Sequence, residues 1–142
     1  MNVLESSGRR RAQAWLLLVA CLALHVFDEA VTGFLDFYNP IVTQIRARWW
    51  FPVPRFTFGV WLGGLIVAIV VLLAISPALR RDTWWVRLIA TIFGAIMVLN
   101  GIAHLAASIY YGRWVPGATT APLILVGGAW LLRATWKTHE LQ

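Results

Sequence analysis

Two short groups of polar residues interrupt otherwise apolar stretches of this sequence. The first group is His25-Val26-Phe27-Asp28-Glu29, and the second is Asn100-Gly101-Ile102-Ala103-His104. An acidic residue at the centre of a bilayer costs about 2.5–3.5 kcal/mol on insertion scales, so such groups need partners, water or a function. Two imidazoles, two carboxylates and one carboxamide in apolar surroundings therefore form a candidate functional site.

The spacing within each group predicts that its members meet. Residues four apart are neighbours on a helix surface, so His25 lies beside Glu29, and Asn100 beside His104. Each pair also follows the nearest upstream arginine cluster by almost the same number of residues. At about 1.5 Å of rise per residue, the two pairs are expected at one depth, in the outer half of a membrane.

Three interpretations of this cluster are open. In the first, His25, Glu29 and His104 bind a divalent metal such as zinc, iron or manganese, with Asp28 or Asn100 as a further ligand or as a residue that supports a ligand. In the second there is no metal: Asp28 and Glu29 act as acid–base groups, His25 and His104 carry protons, and Asn100 orients them. In the third, the five side chains only form hydrogen bonds between helices.

Hydrophobic helices must position these groups. Of 142 residues, 60% are hydrophobic and only 13% are charged, whereas about a quarter of residues are charged in an ordinary soluble domain. Four apolar segments, at about residues 14–36, 56–79, 84–110 and 120–136, are each close to the roughly 20 residues that cross a bilayer. The sequence predicts an all-α fold, a polytopic four-transmembrane-helix bundle in which residues 1–142 form a single integral membrane domain.

The basic residues indicate orientation rather than a nucleic-acid partner. The net charge is +6, but Lys and Arg occur in short clusters between the apolar segments. Positive residues accumulate on the cytoplasmic side, which predicts an integral protein of the cytoplasmic (inner) membrane with both termini in the cytoplasm. Its cytoplasmic side would carry Arg9, Arg10, Arg11, Arg80, Arg81, Arg87, Arg133 and Lys137. Its outer side would carry Arg46, Arg48, Arg55 and Arg113.

Two other features concern packing and the membrane surface. The outer connection at about residues 37–55 contains Trp49-Trp50-Phe51 beside arginines and several prolines. It is interpreted as a segment in the headgroup region without a long helix, either a plain interfacial loop or a lid over the site. Gly59 and Gly63 form a small-residue motif, interpreted as a site of close helix packing within the bundle.

The two polar groups and a later turn together resemble the HXXEE family of small bacterial integral membrane proteins. That family has a His-x-x-Glu-Glu motif, in which Asp28 here replaces the first Glu, and then an Asn-x-x-x-His motif that is intact. A third, Tyr-x-Pro-Gly-x-x-Thr-like element reads Trp114-Val115-Pro116-Gly117-Ala118-Thr119-Thr120. The resemblance implies a helical membrane fold and the same polar site, but no biochemical role.

The third element predicts the mouth of the site. The Pro116-Gly117 turn would bring Thr119 or Thr120 over the outer end of the cluster. Trp114 lacks the hydroxyl of the family's tyrosine, which Tyr111 could replace. Tyr111, Trp114, Thr119 and Thr120 are therefore expected to gate substrate.

The leading functional hypothesis is a small membrane enzyme with metal-dependent or acid–base chemistry. Its substrate would be a hydrophobic, lipid-like or isoprenoid-like small molecule, reached from the surrounding membrane lipids. The alternative is a non-enzymatic protein that binds a metal or small ligand, or an accessory subunit of a larger membrane complex. A homo-oligomer is compatible with both hypotheses.

Overall fold

The computed structural model describes residues 3–136, and these are helical with no β-strand, which confirms the predicted all-α fold. A 3₁₀ turn, Ser76–Arg80, precedes the fourth of five α-helices. The helices are α1 (Val3–Thr32), α2 (Phe34–Trp49), α3 (Phe58–Ala74), α4 (Trp84–Tyr111) and α5 (Ala121–Trp136). The predicted cytoplasmic residue Lys137 lies outside the described residues.

Two of the helices are long and apolar enough to cross a membrane. They are the Ser7–Thr32 part of α1, with 26 residues, and α4, with 28 residues. The apolar helices α3 and α5 are shorter, with 17 and 16 residues. A span needs about 20 apolar residues, with a range of roughly 17–25, so α1 and α4 meet the length criterion with residues to spare.

Residues 37–49 of the segment predicted as an interfacial loop are helical and belong to α2, so the prediction of a loop is wrong for that part, whereas residues 50–55 are not helical. Helix α1 ends at Thr32, before the predicted boundary, because Gly33 adopts a left-handed conformation with φ 77° and ψ 45°. Helix α2 then continues through Pro40. A proline removes one helical hydrogen bond and kinks the helix, but tertiary contacts hold this one: the Asn39 side chain bonds both the N–H and the carbonyl of Phe56, at 3.2 and 3.0 Å.

Helix α1 is the central element of the packing. It packs against α3 on one side and against α5 on another, and α5 also packs against α4. Trp15 is fully buried between these helices. Its indole N–H donates to the Leu72 carbonyl at 2.9 Å, and its ring lies 4.9 Å from that of Phe93. The indole therefore fixes α1 against both α3 and α4.

A buried arginine fastens the beginning of α1 to the 3₁₀ turn. The Arg11 guanidinium donates to the carbonyl oxygens of Leu79 and Arg81, at 3.1 and 2.6 Å, and to the Asp82 carboxylate at 3.2 Å. Because every one of these acceptors lies between α3 and α4, Arg11 sets how the connection between those helices meets α1.

Glycines allow close contact between α4 and α5. A Cβ on Gly101 would lie 2.8 Å from the Ala121 carbonyl oxygen, and one on Gly128 would lie 2.8 Å from the Gly94 carbonyl oxygen. Gly59 and Gly63 on α3 behave differently, since a Cβ on either would meet no atom within 4 Å. The interpretation of these two as an internal packing motif is therefore wrong.

Candidate functional site

Three chain segments converge on the site. Helix α1 contributes His25 and Glu29, helix α4 contributes Asn100 and His104, and the turn before α5 crosses over them. The two imidazoles and the Glu29 carboxylate are at most 7% exposed. The pairs at i and i+4 on two helices thus face each other, since the contacts between α1, α4 and α5 bring the two polar faces together.

The Glu29 carboxylate lies between the two histidines. Its Oε1 atom is 3.2 Å from His104 Nε2 and 3.6 Å from His25 Nε2. The two imidazole rings meet edge to face, with centroids 4.8 Å apart and an interplanar angle of 83°. One ligand atom from each of the three residues lies within 4.8 Å of the others, so the three could hold a metal ion.

The backbone of the turn fixes the proton of His104. His104 Nδ1 lies 2.8 Å from the Pro116 carbonyl oxygen. Since a carbonyl oxygen can only accept, Nδ1 must carry the hydrogen. In the neutral ring the lone pair is then on Nε2, and Nε2 is the atom that faces Glu29.

A series of side-chain hydrogen bonds fixes the position of the proton on His25 in the same way. The Thr120 hydroxyl donates to Asp28 Oδ2 at 2.9 Å, and the Thr120 backbone N–H donates to the same oxygen at 3.2 Å. Thr120 Oγ1 therefore accepts from His25 Nδ1, 2.9 Å away. The lone pair of His25 is again on Nε2; Asn100 Nδ2 lies 3.4 Å from this atom, which is too long for a strong hydrogen bond, so the lone pair is only weakly engaged.

These assignments leave three hydrogen-bond acceptors directed at one another: two imidazole Nε2 atoms and a carboxylate oxygen. Acceptors repel unless a cation lies between them, either a proton or a metal ion. A tetrahedral zinc ion with bonds of about 2.0–2.1 Å holds its ligand atoms about 3.3 Å apart. The two separations from Glu29 Oε1, 3.2 and 3.6 Å, are close to that value, and all three ligand atoms lie within 4.8 Å of one another.

Gly117 lets the turn approach the cluster closely. Its φ is +81°, and a Cβ there would lie 2.7 Å from His104 Cε1, 2.9 Å from His104 Nδ1 and 3.0 Å from Glu29 Cγ. A left-handed backbone is unfavourable for residues with a Cβ. Both the conformation and the lack of space therefore require glycine here.

The remaining predicted residues have different surroundings. Asp28 bonds Thr120 and is not one of the three clustered ligands, so the structure places it behind His25. Thr119 accepts from the Trp114 indole N–H at 2.9 Å, at the exposed side of the turn. Tyr111 packs its ring against Phe37 and is partly exposed. Their gating role remains a prediction.

A cavity of about 300 Å³ adjoins the cluster. Glu29 forms part of its wall, and four aromatic side chains form much of the rest: Phe34, Phe56, Phe58 and Trp61. The Phe34 ring lies 5.9 Å from the His104 ring and so stands between cavity and cluster. This cavity was not predicted from the sequence, because it forms where the beginning of α2 faces residues 56–61, a contact between segments that are separate in sequence.

Backbone contributions to the site were also missed. The Pro116 carbonyl accepts from His104, and a carbonyl group leaves no mark in residue type. The available signal was the Pro116-Gly117 pair, which predicts a turn and in which the glycine permits close approach.

Comparison with known proteins supports one assignment. No curated protein and no solved structure matches the chain. Residues 15–131 match the family described as "protein of unknown function with HXXEE motif". That range contains His25, Asp28 and Glu29, and also Asn100 and His104. Because the match covers most of the chain, the protein belongs to the HXXEE family.

Proposed function

We propose that His25 Nε2, the Glu29 carboxylate and His104 Nε2 bind a divalent transition metal, with zinc as the ion that fits best. The observation that carries this proposal is the direction of the imidazole protons. Both N–H groups point away from the cluster, toward Thr120 and Pro116. The lone pairs of the two rings and the carboxylate then face a common point.

The residues behind the histidines match those of metal sites. Metal-binding histidines nearly always donate the other ring N–H to a carbonyl, a carboxylate or water, and such partners fix the ring and raise its basicity. Here the Pro116 carbonyl serves His104, and the Asp28–Thr120 pair serves His25. We therefore assign Asp28 a positioning role rather than a place among the ligands.

The proposed activity is that of a metal-dependent membrane enzyme. Three protein ligands leave a coordination position open, as in catalytic rather than structural zinc sites. Such an ion, when bound, polarises a substrate oxygen or activates a water molecule. The cavity beside Glu29 would admit the substrate, and its aromatic wall favours a molecule with apolar parts. Asn100 Nδ2, which lies 3.4 Å from His25 Nε2, would lose that contact when a metal takes the lone pair.

We further propose that α1, α3, α4 and α5 all lie in the cytoplasmic membrane, with α2 at its outer surface. Helix α3 presents many large apolar side chains outward, as a lipid-facing helix does and a soluble one does not. The exposed set comprises Val60, Ile66, Val67, Val70, Val71 and Leu73. The distribution of arginines favours cytoplasmic termini.

Metal analysis of the purified protein tests the metal proposal. Protein produced with zinc, iron and manganese supplied is expected to retain about one ion per chain, the number that one three-ligand site holds. His25→Ala and His104→Ala should lose it, whereas His139→Ala, which removes the third histidine of the chain, should keep it. Wild-type protein that neither retains an ion nor binds added zinc would overturn the proposal.

A metal-free acid–base site is the second candidate. The 3.2 Å distance between Glu29 Oε1 and His104 Nε2 is also that of a hydrogen bond, so one proton could be shared between them. In that case Glu29→Gln, which still offers a donor to His104, should preserve stability, and added zinc should have no effect on thermal unfolding.

A further inference from the structure

We infer that the cavity beside Glu29 binds an ammonium group, so that the substrate or ligand of this site carries a positively charged amine. This inference concerns the substrate of the site described above, and in that sense it rests on the proposed function. It is drawn from the composition of the cavity wall, where aromatic rings and carboxylates occur together and no cationic side chain is found among the lining residues.

The aromatic part of the wall is continuous. The Phe34 ring stacks on that of Trp61 with centroids 5.7 Å apart, and Phe58 contacts Trp61 at 6.0 Å. Phe56 closes the wall and stacks on Tyr38 at 6.1 Å. A cation over an aromatic face is attracted by the ring quadrupole, and several rings around one site are the usual means of binding a quaternary ammonium group.

The charges in the wall have one sign. Basic residues outnumber acidic ones twelve to six in the whole chain, yet the lining includes Glu29 and Asp36 and no Lys, Arg or His. Within residues 3–136, no basic side chain forms an ion pair with Asp36. Glu29 would share its charge with the metal proposed above, so Asp36 is the carboxylate that gives the cavity its preference for a cationic ligand.

The two other polar side chains at the cavity have different tasks. Asn39 already uses its amide in two hydrogen bonds to the Phe56 backbone, so it holds the wall in place. Glu29 is directed at the histidines. Asp36 remains as the carboxylate that can pair with a ligand. The ammonium end would then lie at Asp36 and the rings, and the reacting end would lie at Glu29.

A purely apolar ligand, such as an acyl chain, accounts less well than an ammonium group for the composition of the cavity wall. A purely apolar ligand makes no use of a carboxylate, and placing it against Asp36 would remove water from the charge without replacing that interaction. An ammonium group uses both kinds of wall, because its alkyl substituents contact the rings while its charge is balanced by Asp36.

Calorimetry with a matched pair of probes tests the inference. Choline and its uncharged isostere 3,3-dimethylbutan-1-ol are titrated into the purified protein in a detergent without an ammonium headgroup. Choline is expected to bind at least about tenfold more tightly, since the two differ only in the charge that the rings and Asp36 recognise. Equal affinities would overturn the inference.

Variants of the wall give a second measurement. Asp36→Asn should weaken choline binding about tenfold, whereas Asp36→Glu should largely keep it, because the charge rather than the shape is the determinant. Phe58→Leu should weaken it several-fold, and Phe27→Leu, which changes an exposed ring outside the cavity, should not. If choline affinity is the same in all four variants, the cavity is not the binding site and the inference fails.

Short-chain lipids identify the source of the ammonium group. If dihexanoyl phosphatidylcholine binds more tightly than choline and dihexanoyl phosphatidylglycerol does not bind, the ammonium group belongs to a lipid headgroup. If choline binds more tightly than dihexanoyl phosphatidylcholine, the group belongs to a free amine. Metal content is measured on the same samples. Choline binding without a metal would remove only the metal proposal, and a metal without choline preference would remove only this inference.

Discussion

At the scale of residues, the two histidines of the site differ in what holds their Nδ1 atoms. His104 donates to a backbone carbonyl, which substitution at Pro116 would not remove. His25 donates to the Thr120 hydroxyl, which is held by Asp28. The orientation of His25 therefore depends on side chains, and it can be tested by mutation without touching a ligand.

Thr120→Val removes the hydroxyl between His25 and Asp28 and leaves a side chain of similar volume. We expect zinc affinity to fall about 10–100-fold, the usual effect of losing such a partner. Competition with a chromophoric chelator measures it. Thr120→Ser should bind nearly as well as wild type, and Thr119→Val, which removes only the acceptor of Trp114, should bind normally. Normal affinity in Thr120→Val would contradict the assignment of the His25 proton.

Two glycines with a left-handed backbone, Gly117 and Gly112, allow the effect of backbone strain to be measured separately from the effect of steric overlap. Gly117→Ala should destabilise the fold by about 1–2 kcal/mol for the backbone alone, and should also weaken zinc binding, because the new Cβ overlaps His104. Gly112, with φ +60°, has no atom within 4 Å of its Cβ position, so Gly112→Ala should show the backbone cost alone. Thermal unfolding and zinc titration of both variants check this, and equal zinc affinities would argue against crowding at the cluster.

The residue types of the site could be predicted from the sequence, and their roles only partly. His25, Glu29 and His104 stand out because polar groups are rare in apolar helices. Asp28 has the same chemistry as Glu29, and spacing along α1 cannot tell which carboxylate faces α4. The position of Thr120 decides that question, and it depends on how the turn before α5 folds back over α1.

At the scale of elements, the contact between α4 and α5 determines where that turn lies. Gly101 is one turn of helix from His104, and it contacts the beginning of α5 at Ala121 and Leu125. The closeness of the two helices thus places the carbonyl of Pro116 within reach of His104. A wider separation of α4 and α5 would displace the turn, and the geometry of the cluster would change with it.

Gly101→Ala is expected to destabilise the protein by about 1 kcal/mol or more, since the gain in helix propensity is smaller than the cost of overpacking against α5. Gly63→Ala is the matched control, because its Cβ would meet open space and should raise helix stability by up to about 1 kcal/mol. Unfolding in increasing dodecyl sulfate compares them. If Gly63→Ala proved the more harmful, α3 would have a neighbour outside the chain at that face.

The helices themselves were largely predictable, with α2 as the exception. Apolar runs locate α3, α4 and α5 to within a few residues, because only their composition is needed. Helix α2 has arginines, aromatics and Pro40 in a short amphipathic segment, which local rules assign to a loop. Its helical state depends on the bonds between Asn39 and Phe56, and these join residues that are distant in sequence.

At the scale of the whole molecule, the proposed orientation follows from the arginines at the two ends of the bundle. Arg46 and Arg48 lie in the last turn of α2, and Arg113 lies in the turn before α5, 6.0 Å from the Phe37 ring of α2. Arg11, Arg80 and Arg87 lie at the opposite end, where α1 contacts the 3₁₀ turn. The positive-inside rule favours the second end in the cytoplasm.

Labelling in intact cells checks this orientation. In a Cys21→Ser background, Ala47→Cys on the exposed part of α2 should react with a membrane-impermeant maleimide. Cys21→Ser alone is the unlabelled control. A fluorescent protein fused after Gln142 should fluoresce, since that fold matures in the cytoplasm. A label that appears only after cell lysis would mean that the orientation is inverted.

Gly33 is the single residue between α1 and α2, so a change in its backbone angles would rotate α2 as a rigid body. The helix has 16 residues and so is about 24 Å long. Phe34, at its near end, contacts both His104 and Trp61, and the arginines are at its far end. A rotation of ten degrees about Gly33 would move the far end by about 4 Å, yet Phe34 much less. Movement of the distant arginines therefore displaces the Phe34 ring only slightly, so the position of this ring beside His104 tolerates changes at the far end of α2.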